Sequence, residues 1–412
     1  MNIRHFVVNF KPQNYESYLS DYAQKGSMSR GRLFDEQESA HRSPFQRDRD
    51  RIIHTTAFRR LQFKTQVFVN HEGDHFRNRL THTIEVAQIA RTISKALGLN
   101  EELAESLALS HDLGHTPFGH CGEDVLNQCL SDIGGFEHNA QSLKIVTKLE
   151  HRYADFDGLN LTWEALEGLV KHNGPLLDAA GKPTKKYQKN GVPSYVNEFC
   201  QKFDLEIDKY SNLEAQLAAC ADDVAYNNHD IDDGLRAGLF VFEDLFELPV
   251  IGDVMRDVKA RFGHISAKRQ MHEAYRIIIG LMVEDILQNT QTNIAKYNIK
   301  TTADIHNAAV AIGNFSPKIL AVIKTLQEFL MQNMYRADSV IKERVAAAKI
   351  LEDLFDIYMK KPENLPPDWQ HDLGADSAEV SQRKIGDFMA GMTDRFAIME
   401  HQRLFDFTPQ MR

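Results

Sequence analysis

The sequence HDLGHTPFGH, residues 111–120, follows an apolar helical stretch and carries three histidines and one aspartate within ten positions. Neutral imidazole nitrogens and carboxylate oxygens are good ligands for divalent cations. An adjacent histidine and aspartate are poorly suited to an apolar core, because both side chains need polar partners once they are buried. The segment therefore indicates a metal site with acid–base groups beside it.

Helical signals surround this segment. Asn100 is a favourable N-cap, Glu101 and Glu102 occupy the first turn of the helix that follows, and Gly114 ends it. Apolar residues recur at helical spacing through most of the chain, and alternating strand patterns are almost absent. We therefore predict an all-α protein with helices over residues 79–98, 101–113, 138–151, 162–172, 212–227, 269–289, 316–333, 338–360 and 379–400.

Composition shifts along the chain predict its organisation. Residues 1–45 are polar and predict a flexible N-terminal arm, and residues 46–360 predict the core. Residues 361–412 predict a Pro-rich connector followed by a C-terminal helix that packs on the core. Residues 174–194 contain Gly, Pro and Lys and predict a long loop close to the site.

Bulk properties exclude several classes of protein. The 412 residues include 48 Lys and Arg against 58 Asp and Glu, a net charge of −10 that gives no support to general binding of nucleic acid or acidic membranes. Binding of single-stranded nucleic acid is unsupported but left open. No apolar stretch predicts a membrane span, and the first ten residues lack signal-peptide features. Four cysteines without CxxC spacing predict reduced thiols, so we expect a cytoplasmic protein.

Two other parts of the chain could complete a metal site. His82 lies 29 residues before His111, near the start of a predicted helix, and Asp222 lies in a later helical stretch. In an antiparallel helix pair, a residue near the start of one helix lies level with a residue near the end of the next. Taken singly, His82 could instead be a surface histidine and Asp222 an N-cap or surface acid. The candidate ligands are His82, His111, Asp112 and Asp222.

The order His, then His-Asp, then Asp resembles the pattern of the HD-domain superfamily. The chain is similar in more detail to the deoxynucleoside triphosphate (dNTP) triphosphohydrolases, the bacterial dGTPase-like proteins, over about residues 45–405. Besides HDLGHTPFGHCGE at 111–123, the similarity rests on RRL (59–61), KTQVF (64–68), RLTH (79–82), FEHNAQ (136–141), KHNGP (171–175), YNNHD (226–230) and MTDR (392–395).

The resemblance implies an HD-domain helical fold in which His82, His111, Asp112 and Asp222 bind the metal. Two nitrogen and two carboxylate ligands leave positions for water and a phosphate oxygen. Such a set favours a six-coordinate divalent cation (Mn, Mg, Fe, Co or Ni) over a closed structural zinc site.

The resemblance also implies that His115, His120, Glu123 and His138 line the reacting centre. His120 and Glu123 are three residues apart, which on a helix suits an imidazole oriented by a carboxylate. Histidine titrates near neutrality, so any of the three imidazoles could move the proton that the leaving oxygen needs. The alternatives are a buried His120 bonded to a backbone carbonyl and Glu123 as an ordinary first-turn acid.

Further residues are candidates for binding the nucleotide. Arg79 lies one turn before His82 and could reach a phosphate, because guanidinium groups fit phosphate oxygens well. An ordinary salt bridge is the alternative for Arg60, and a plain core position is the alternative for Tyr226. In the family, Tyr226 would pack against the deoxyribose and Asp230 would bind the 3′-hydroxyl. The candidate substrate residues are Arg79, Gln66, Lys64, Arg60, Tyr226 and Asp230.

The function implied by the resemblance is hydrolysis of a dNTP to a deoxynucleoside and tripolyphosphate. A homo-oligomer, a hexamer by resemblance, and a dNTP activator are also implied. One alternative is another HD-domain nucleotide phosphohydrolase, and a second is a regulatory nucleotide-binding protein with little turnover. Asp223 follows Asp222 where some relatives have a phosphate-binding lysine, so the phosphate contacts are expected to differ from that branch.

Overall fold

A computed structural model describes residues 15–66, 77–371 and 377–409. Within these ranges the protein consists of α-helices, short 3-10 and π-helical turns, and isolated β-bridges. The all-α prediction is therefore confirmed. Parts of the sequence predictions lie outside the described residues, namely 1–14 of the arm, Val67 and Phe68 of KTQVF, 372–376 of the connector, and 410–412.

The described residues form α-helices that are numbered here in chain order. The first nine are α1 Pro44–Ile53, α2 Thr56–Arg60, α3 Arg79–Ala96, α4 Glu101–Ser110, α5 His120–Cys129, α6 His138–Lys144, α7 Trp163–Lys171, α8 Ser194–Cys200 and α9 Leu213–Arg236. The remainder are α10 Ile251–Phe262, α11 Ala267–Lys296, α12 Thr302–His306, α13 Pro317–Leu330, α14 Asp338–Lys360, α15 Pro367–Gln370, α16 Ala378–Ala390 and α17 Asp394–Leu404.

Helices α3, α4 and α9 pack against one another at the centre of the larger apolar core. Each begins at an asparagine whose side chain accepts a hydrogen bond from a backbone N–H of the first turn: Asn78, Asn100 and Asn212. Such a cap contributes about 1 kcal/mol to helix stability, because it satisfies a donor that has no partner within the helix. The caps fix where each helix starts and therefore the level at which its polar side chains face the neighbouring helices.

A second apolar cluster joins α5 to the C-terminal helices. Leu126 of α5, Leu351 of α14 and Met389 of α16 are fully buried in it. The cluster therefore draws on residues from both sides of position 360, where the predicted connector begins. The segment predicted as a flexible arm is described from residue 15 onward. It contacts the core at Gln24, whose backbone N–H donates to Glu214 at 2.9 Å.

Several helix boundaries differ from the sequence prediction. The predicted helix 379–400 was wrong as a single element, because α16 ends at Ala390 and α17 begins at Asp394. Gly391 follows the first helix, and the Thr393 hydroxyl accepts from the Phe396 N–H at 3.1 Å to cap the second. Helix α9 is longer than predicted and continues to Arg236.

Gly114 lets α6 approach the HDLGHTPFGH segment closely. A Cβ atom at Gly114 would lie 2.2 Å from the His138 backbone oxygen and 2.4 Å from the Ser142 backbone nitrogen. We expect Gly114→Ala to push α6 away and lower the free energy of unfolding by at least about 2 kcal/mol. Thermal and urea denaturation measure this change.

Gly280 supplies the matched control for that substitution. It lies within α11, and a Cβ atom there would meet no atom within 4 Å. Gly280→Ala is expected to raise stability by roughly 0.5–1 kcal/mol, because alanine loses less backbone entropy in a helix. Equal effects of the two substitutions would contradict a close approach at Gly114.

Candidate metal centre and active site

Three of the predicted metal ligands come together between α3, α4 and α9. Ligand atoms of His82, His111 and Asp222 all lie within 4.8 Å of one another. The Asp222 Oδ1 atom is 2.9 Å from His82 Nε2 and 3.6 Å from His111 Nε2. Both histidines therefore direct the same ring nitrogen toward one carboxylate oxygen.

The other ring nitrogen of each histidine is held by the protein. His111 Nδ1 lies 2.6 Å from the Ala108 carbonyl oxygen, which accepts its proton. His82 Nδ1 lies 3.1 Å from His229 Nδ1. Contacts of this kind orient metal-binding imidazoles and leave the opposite nitrogen available.

The residues of this group fit a divalent cation. His111 Nε2 is buried and makes no hydrogen bond to any described residue. Burial works against a proton on His111, but the carboxylates of Asp112 and Asp222 outweigh it and raise the pKa of His111 to about 9. The carboxylates thus favour a positive charge at His111 Nε2, and a cation bound there would take the place of that proton.

Asp112 connects this group to the residues predicted to act in catalysis. Its Oδ1 atom lies 3.3 Å from His111 Nε2 and 3.3 Å from His115 Nε2. Its Oδ2 atom accepts from the Arg79 guanidinium at 2.7 Å. Burial disfavours the charged carboxylate, but Arg79 and His111 more than offset it and lower the pKa of Asp112 to about 2. Asp112 is therefore ionised at neutral pH.

A second polar group contains His115, Glu123 and His138. Both Glu123 oxygens lie near His138 Nδ1, at 2.9 and 3.0 Å, and the His138 backbone N–H donates to the same carboxylate. The His115 and His138 rings stack with their centroids 4.1 Å apart. Glu123 thus orients His138, whereas the sequence spacing had suggested that it orients His120.

The imidazoles of this group differ in charge. Burial opposes a proton on His138, but Glu123 outweighs burial and raises the His138 pKa. Burial, aided by the nearby Arg79, holds the pKa of His115 well below its usual range. His115 is therefore neutral near pH 7, and His138 keeps its proton to higher pH. His120 is the exposed member, with its ring centroid 5.8 Å from that of His115.

The MTDR block fixes the backbone of the HDLGHTPFGH segment. Asp394 at the start of α17 accepts from the Phe118 N–H at 2.8 Å and from the Thr65 N–H at 2.8 Å. Phe118 has a φ of 59°, a conformation that a non-glycine residue adopts at an energetic cost. The hydrogen bond that Phe118 donates to Asp394 stabilises this turn, and the turn leads directly into His120 at the start of α5.

The candidate substrate residues do not share one environment. Arg60 faces a cavity of about 680 Å³ that is also lined by Gln141, Trp369 and Phe388 and by none of the predicted metal ligands. Gln66 is buried, and its side-chain oxygen has no partner among the described residues. Arg79 contacts Asp112 directly and thus adjoins the metal group.

Lys64 forms hydrogen bonds with the protein backbone. Its buried ammonium donates to the backbone oxygens of His115 and Ala390 and so joins the site segment to the end of α16. We expect Lys64→Met to lower the free energy of unfolding by about 1–3 kcal/mol, because both carbonyls lose a buried partner. Urea unfolding measures this loss, and an unchanged stability would contradict the structural role.

Tyr226 and Asp230 meet at a residue that sequence reasoning missed. The hydroxyls of Tyr226 and Tyr335 lie 2.6 Å apart, and the Tyr335 hydroxyl donates to Asp230. Asp230 is fully buried, and its Oδ1 atom has no partner in the described part of the chain. Tyr335 ends a π-helical turn, Met331–Tyr335, and such turns are frequent at functional sites.

Two family models match the chain. One described as the HD domain matches residues 79–227, and one described as the phosphohydrolase-associated domain matches residues 313–403. The first covers α3 to the middle of α9 and thus all four predicted metal ligands. The second covers the C-terminal helices that contribute to the second apolar cluster.

Curated relatives match almost the whole chain. The deoxyguanosinetriphosphate triphosphohydrolase-like protein of Brucella ovis is 53% identical over 390 residues, covering 95% of this chain and 96% of the relative. Relatives described in the same terms are 51% identical in Mesorhizobium japonicum, with the same coverage, and 51% identical in Parvibaculum lavamentivorans, covering 93% of this chain and 96% of the relative. The chain belongs to the deoxyguanosinetriphosphate triphosphohydrolase-like family of HD-domain proteins.

Membership of this family confirms the resemblance inferred from the sequence. The protein therefore belongs to a family of nucleotide phosphohydrolases. The cluster of possible metal-binding His and Asp side chains agrees with this assignment. In the described ranges, no helix combines the length and the apolar character needed to cross a membrane.

Proposed function

We propose that this protein hydrolyses dNTPs of the dGTP type to a deoxynucleoside and tripolyphosphate, with the help of a divalent cation. The observation that carries the proposal is the single Asp112 oxygen that lies 3.3 Å from both His111 and His115. The candidate metal group thereby adjoins the group of imidazoles that could transfer a proton. The similarity to deoxyguanosinetriphosphate triphosphohydrolase-like proteins supports the same chemistry.

His82, His111, Asp112 and Asp222 would hold the cation. A cation bound there would polarise the α-phosphate and help to stabilise negative charge. The ligand set suits Mn, Mg, Fe, Co or Ni. Arg79 would add a planar cationic donor for a phosphate oxygen, since its Nε atom is buried and has no hydrogen-bond partner in the described ranges.

The remaining polar residues would supply and orient the proton that the leaving 5′ oxygen needs. Glu123 favours the protonated form of His138, which would donate to the departing 5′ oxygen. His115 stays neutral and packs its ring against His138, which limits the orientations available to the donor. His120 lies at the exposed side of this group and would contact the phosphates.

Tyr226, Asp230 and Gln66 would recognise the nucleoside. The Tyr226 ring lies edge-on to His82, with centroids 6.5 Å apart, so a sugar packed against it would lie beside the metal group. A ring in that position would disfavour a 2′-hydroxyl. One side-chain oxygen each of Asp230 and Gln66 has no partner among the described residues and would accept a hydrogen bond from the substrate. Lys64 and Arg60 are given no contact with the nucleotide, because Lys64 donates to two backbone oxygens and Arg60 lines the separate cavity.

Product analysis tests the proposed function. Metal-loaded protein is incubated with each of the four dNTPs and the corresponding NTPs, singly and mixed, and the phosphate products are separated. Tripolyphosphate with a deoxynucleoside is the expected result. Mixtures are included because a dNTP activator could leave single substrates inert. Release of pyrophosphate or orthophosphate instead would point to another HD-domain phosphohydrolase, and intact bound nucleotide would point to a regulatory protein. We also propose a homo-oligomer, as the family resemblance implies, and measurement of particle size in the same samples tests it.

A further inference from the structure

A chain of three side chains leads from the candidate metal group to the protein surface. His82 Nδ1 is 3.1 Å from His229 Nδ1, and His229 Nε2 is 2.5 Å from Glu85 Oε2. The two histidines are almost completely buried, whereas the Glu85 side chain is 48% exposed. His82 and Glu85 belong to α3, and His229 belongs to α9, so the contacts alternate between the two helices.

The spacing of these residues follows from helical geometry. Glu85 lies three residues after His82, and His229 lies seven residues after Asp222, two turns further along α9. Asp222 therefore meets the Nε2 side of the His82 ring at 2.9 Å, while His229 meets the Nδ1 side. The His82 ring is held between two residues of one helix.

The contacts determine which nitrogen carries each proton. A carboxylate only accepts, so the His229 proton must lie on Nε2, facing Glu85. The Nδ1 atom of a neutral His229 is then a bare acceptor. His82 must therefore carry a proton on Nδ1. Asp222 Oδ1, 2.9 Å from His82 Nε2, also only accepts, so this contact requires either a second proton on Nε2 or a cation bound to both atoms. With a cation in that place, the lone pair of Nε2 is the one that binds it.

We propose that His229 and Glu85 are positioning residues that hold His82 in the Nδ1–H tautomer and so offer its Nε2 lone pair to the divalent cation. This inference rests on the proposed function, because it presupposes a cation at His82, His111 and Asp222. Neither residue touches the cation or the substrate.

Arg77 orients the outer end of the chain. Its Nε atom lies 3.6 Å from Glu85 Oε1, and its Nη1 atom is 2.6 Å from Asp232. The Glu85 carboxylate is thus held on one oxygen by an arginine and on the other by His229. A fixed carboxylate imposes the tautomer more strongly than a mobile one, because its oxygen stays directed at His229 Nε2.

The rival explanation is that His229 only fills space between α3 and α9. Two substitutions separate these roles. His229→Asn keeps an oxygen close to the position of Nδ1 and can accept the His82 proton, but it loses the ring. His229→Phe keeps the ring and loses both nitrogens. If His229 positions His82, His229→Asn should keep metal binding. If His229 only fills space, His229→Phe should keep metal binding.

The experiment measures binding of Mn²⁺ by calorimetry on the full-length, metal-free protein, without nucleotide. We expect His229→Phe to weaken Mn²⁺ binding by about 10–100-fold, the usual range for residues that orient metal ligands. His229→Asn is expected to stay within about fivefold of the unmodified protein, and Glu85→Ala to lose about three- to tenfold, on the same reasoning.

His401→Ala is the matched control. His401 is equally buried, with its Nε2 atom 3.2 Å from Asp353 of α14 and its Nδ1 atom 3.0 Å from Thr408, so neither hydrogen-bond partner belongs to the metal group. This variant should lower the melting temperature and leave the affinity for Mn²⁺ unchanged.

The outcomes separate the inference from the function on which it rests. Failure of the unmodified protein to bind Mn²⁺ removes the proposed metal site itself. Normal affinity in His229→Phe, or an affinity in His229→Asn as weak as in His229→Phe, overturns the positioning role while leaving the metal site intact. If the His229 variants do not fold, Glu85→Ala decides, and unchanged affinity in that variant contradicts the inference.

Discussion

His111→Ala is expected to abolish metal binding and to lower turnover at least about 1,000-fold, as for other residues on which catalysis depends. His111 Nε2 faces Asp222, lies 3.3 Å from Asp112 and has no hydrogen-bond partner in the described ranges. Alanine removes a nitrogen donor that no neighbouring side chain replaces. Metal content after gel filtration in Mn²⁺ and the rate of dNTP hydrolysis measure the two effects.

Stability in the presence of metal separates this loss from misfolding. A cation that binds only the folded state stabilises it by about 2.7 kcal/mol at a hundredfold excess over its dissociation constant. Mn²⁺ should therefore raise the melting temperature of the unmodified protein and leave that of a folded His111→Ala protein unchanged. A variant that still binds Mn²⁺ with full affinity would remove His111 from the ligand set.

Glu123→Gln is expected to keep the metal and to lose about 100- to 1,000-fold in kcat, within the range for general acid catalysis. Burial alone would lower the pKa of His138, and the Glu123 carboxylate reverses that shift. The amide of glutamine has the same shape without the charge. The variant therefore lowers the His138 pKa and with it the protonated fraction at neutral pH, while the candidate metal group is untouched.

The pH dependence gives a second readout of the same substitution. A general acid works below its pKa, so activity should be lost as the pH rises through the raised pKa of His138. In Glu123→Gln this loss should move to lower pH. Besides Glu123, the groups that face His138 are Glu137, which raises its pKa, Lys186, which lowers it, and the stacked His115.

Asp124 provides the control for Glu123. It is the next residue along α5, its side chain is 76% exposed, and its ion pair with Arg344 is long, at 3.6 Å. Asp124→Asn should leave both the rate and its pH profile unchanged. A Glu123→Gln protein with the rate and profile of this control would refute the role assigned to Glu123.

The sequence predicts the helices well where both the end signals and the apolar spacing are local. Asn100 caps α4 as its position suggested, with its side chain accepting from the Glu102 and Leu103 N–H groups. The break between α16 and α17 was missed, because apolar residues such as Phe388, Met392 and Phe396 keep a helical spacing across it. There the capping residues, not the apolar pattern, decide where the helix ends.

The sequence predicts which residues lie in the candidate site, but not which of them form hydrogen bonds with one another. The order His, His-Asp, Asp pointed to residues that the structure brings together, although their roles stay predictions. The bond between Glu123 and His138 spans 15 residues across a turn, so local spacing favoured His120. Likewise, Tyr335 and His229 acquire their partners only through the packing of α9 against other helices, and no periodicity in the sequence encodes those contacts.

Anomalous diffraction from crystals grown with Mn²⁺ tests the central claim most directly. We predict one strong manganese peak about 2.0–2.3 Å from His82 Nε2, His111 Nε2 and a carboxylate oxygen each of Asp112 and Asp222, the usual range for such bonds. A peak between His115, Glu123 and His138 instead, or no peak in either place at saturating Mn²⁺, would contradict the account.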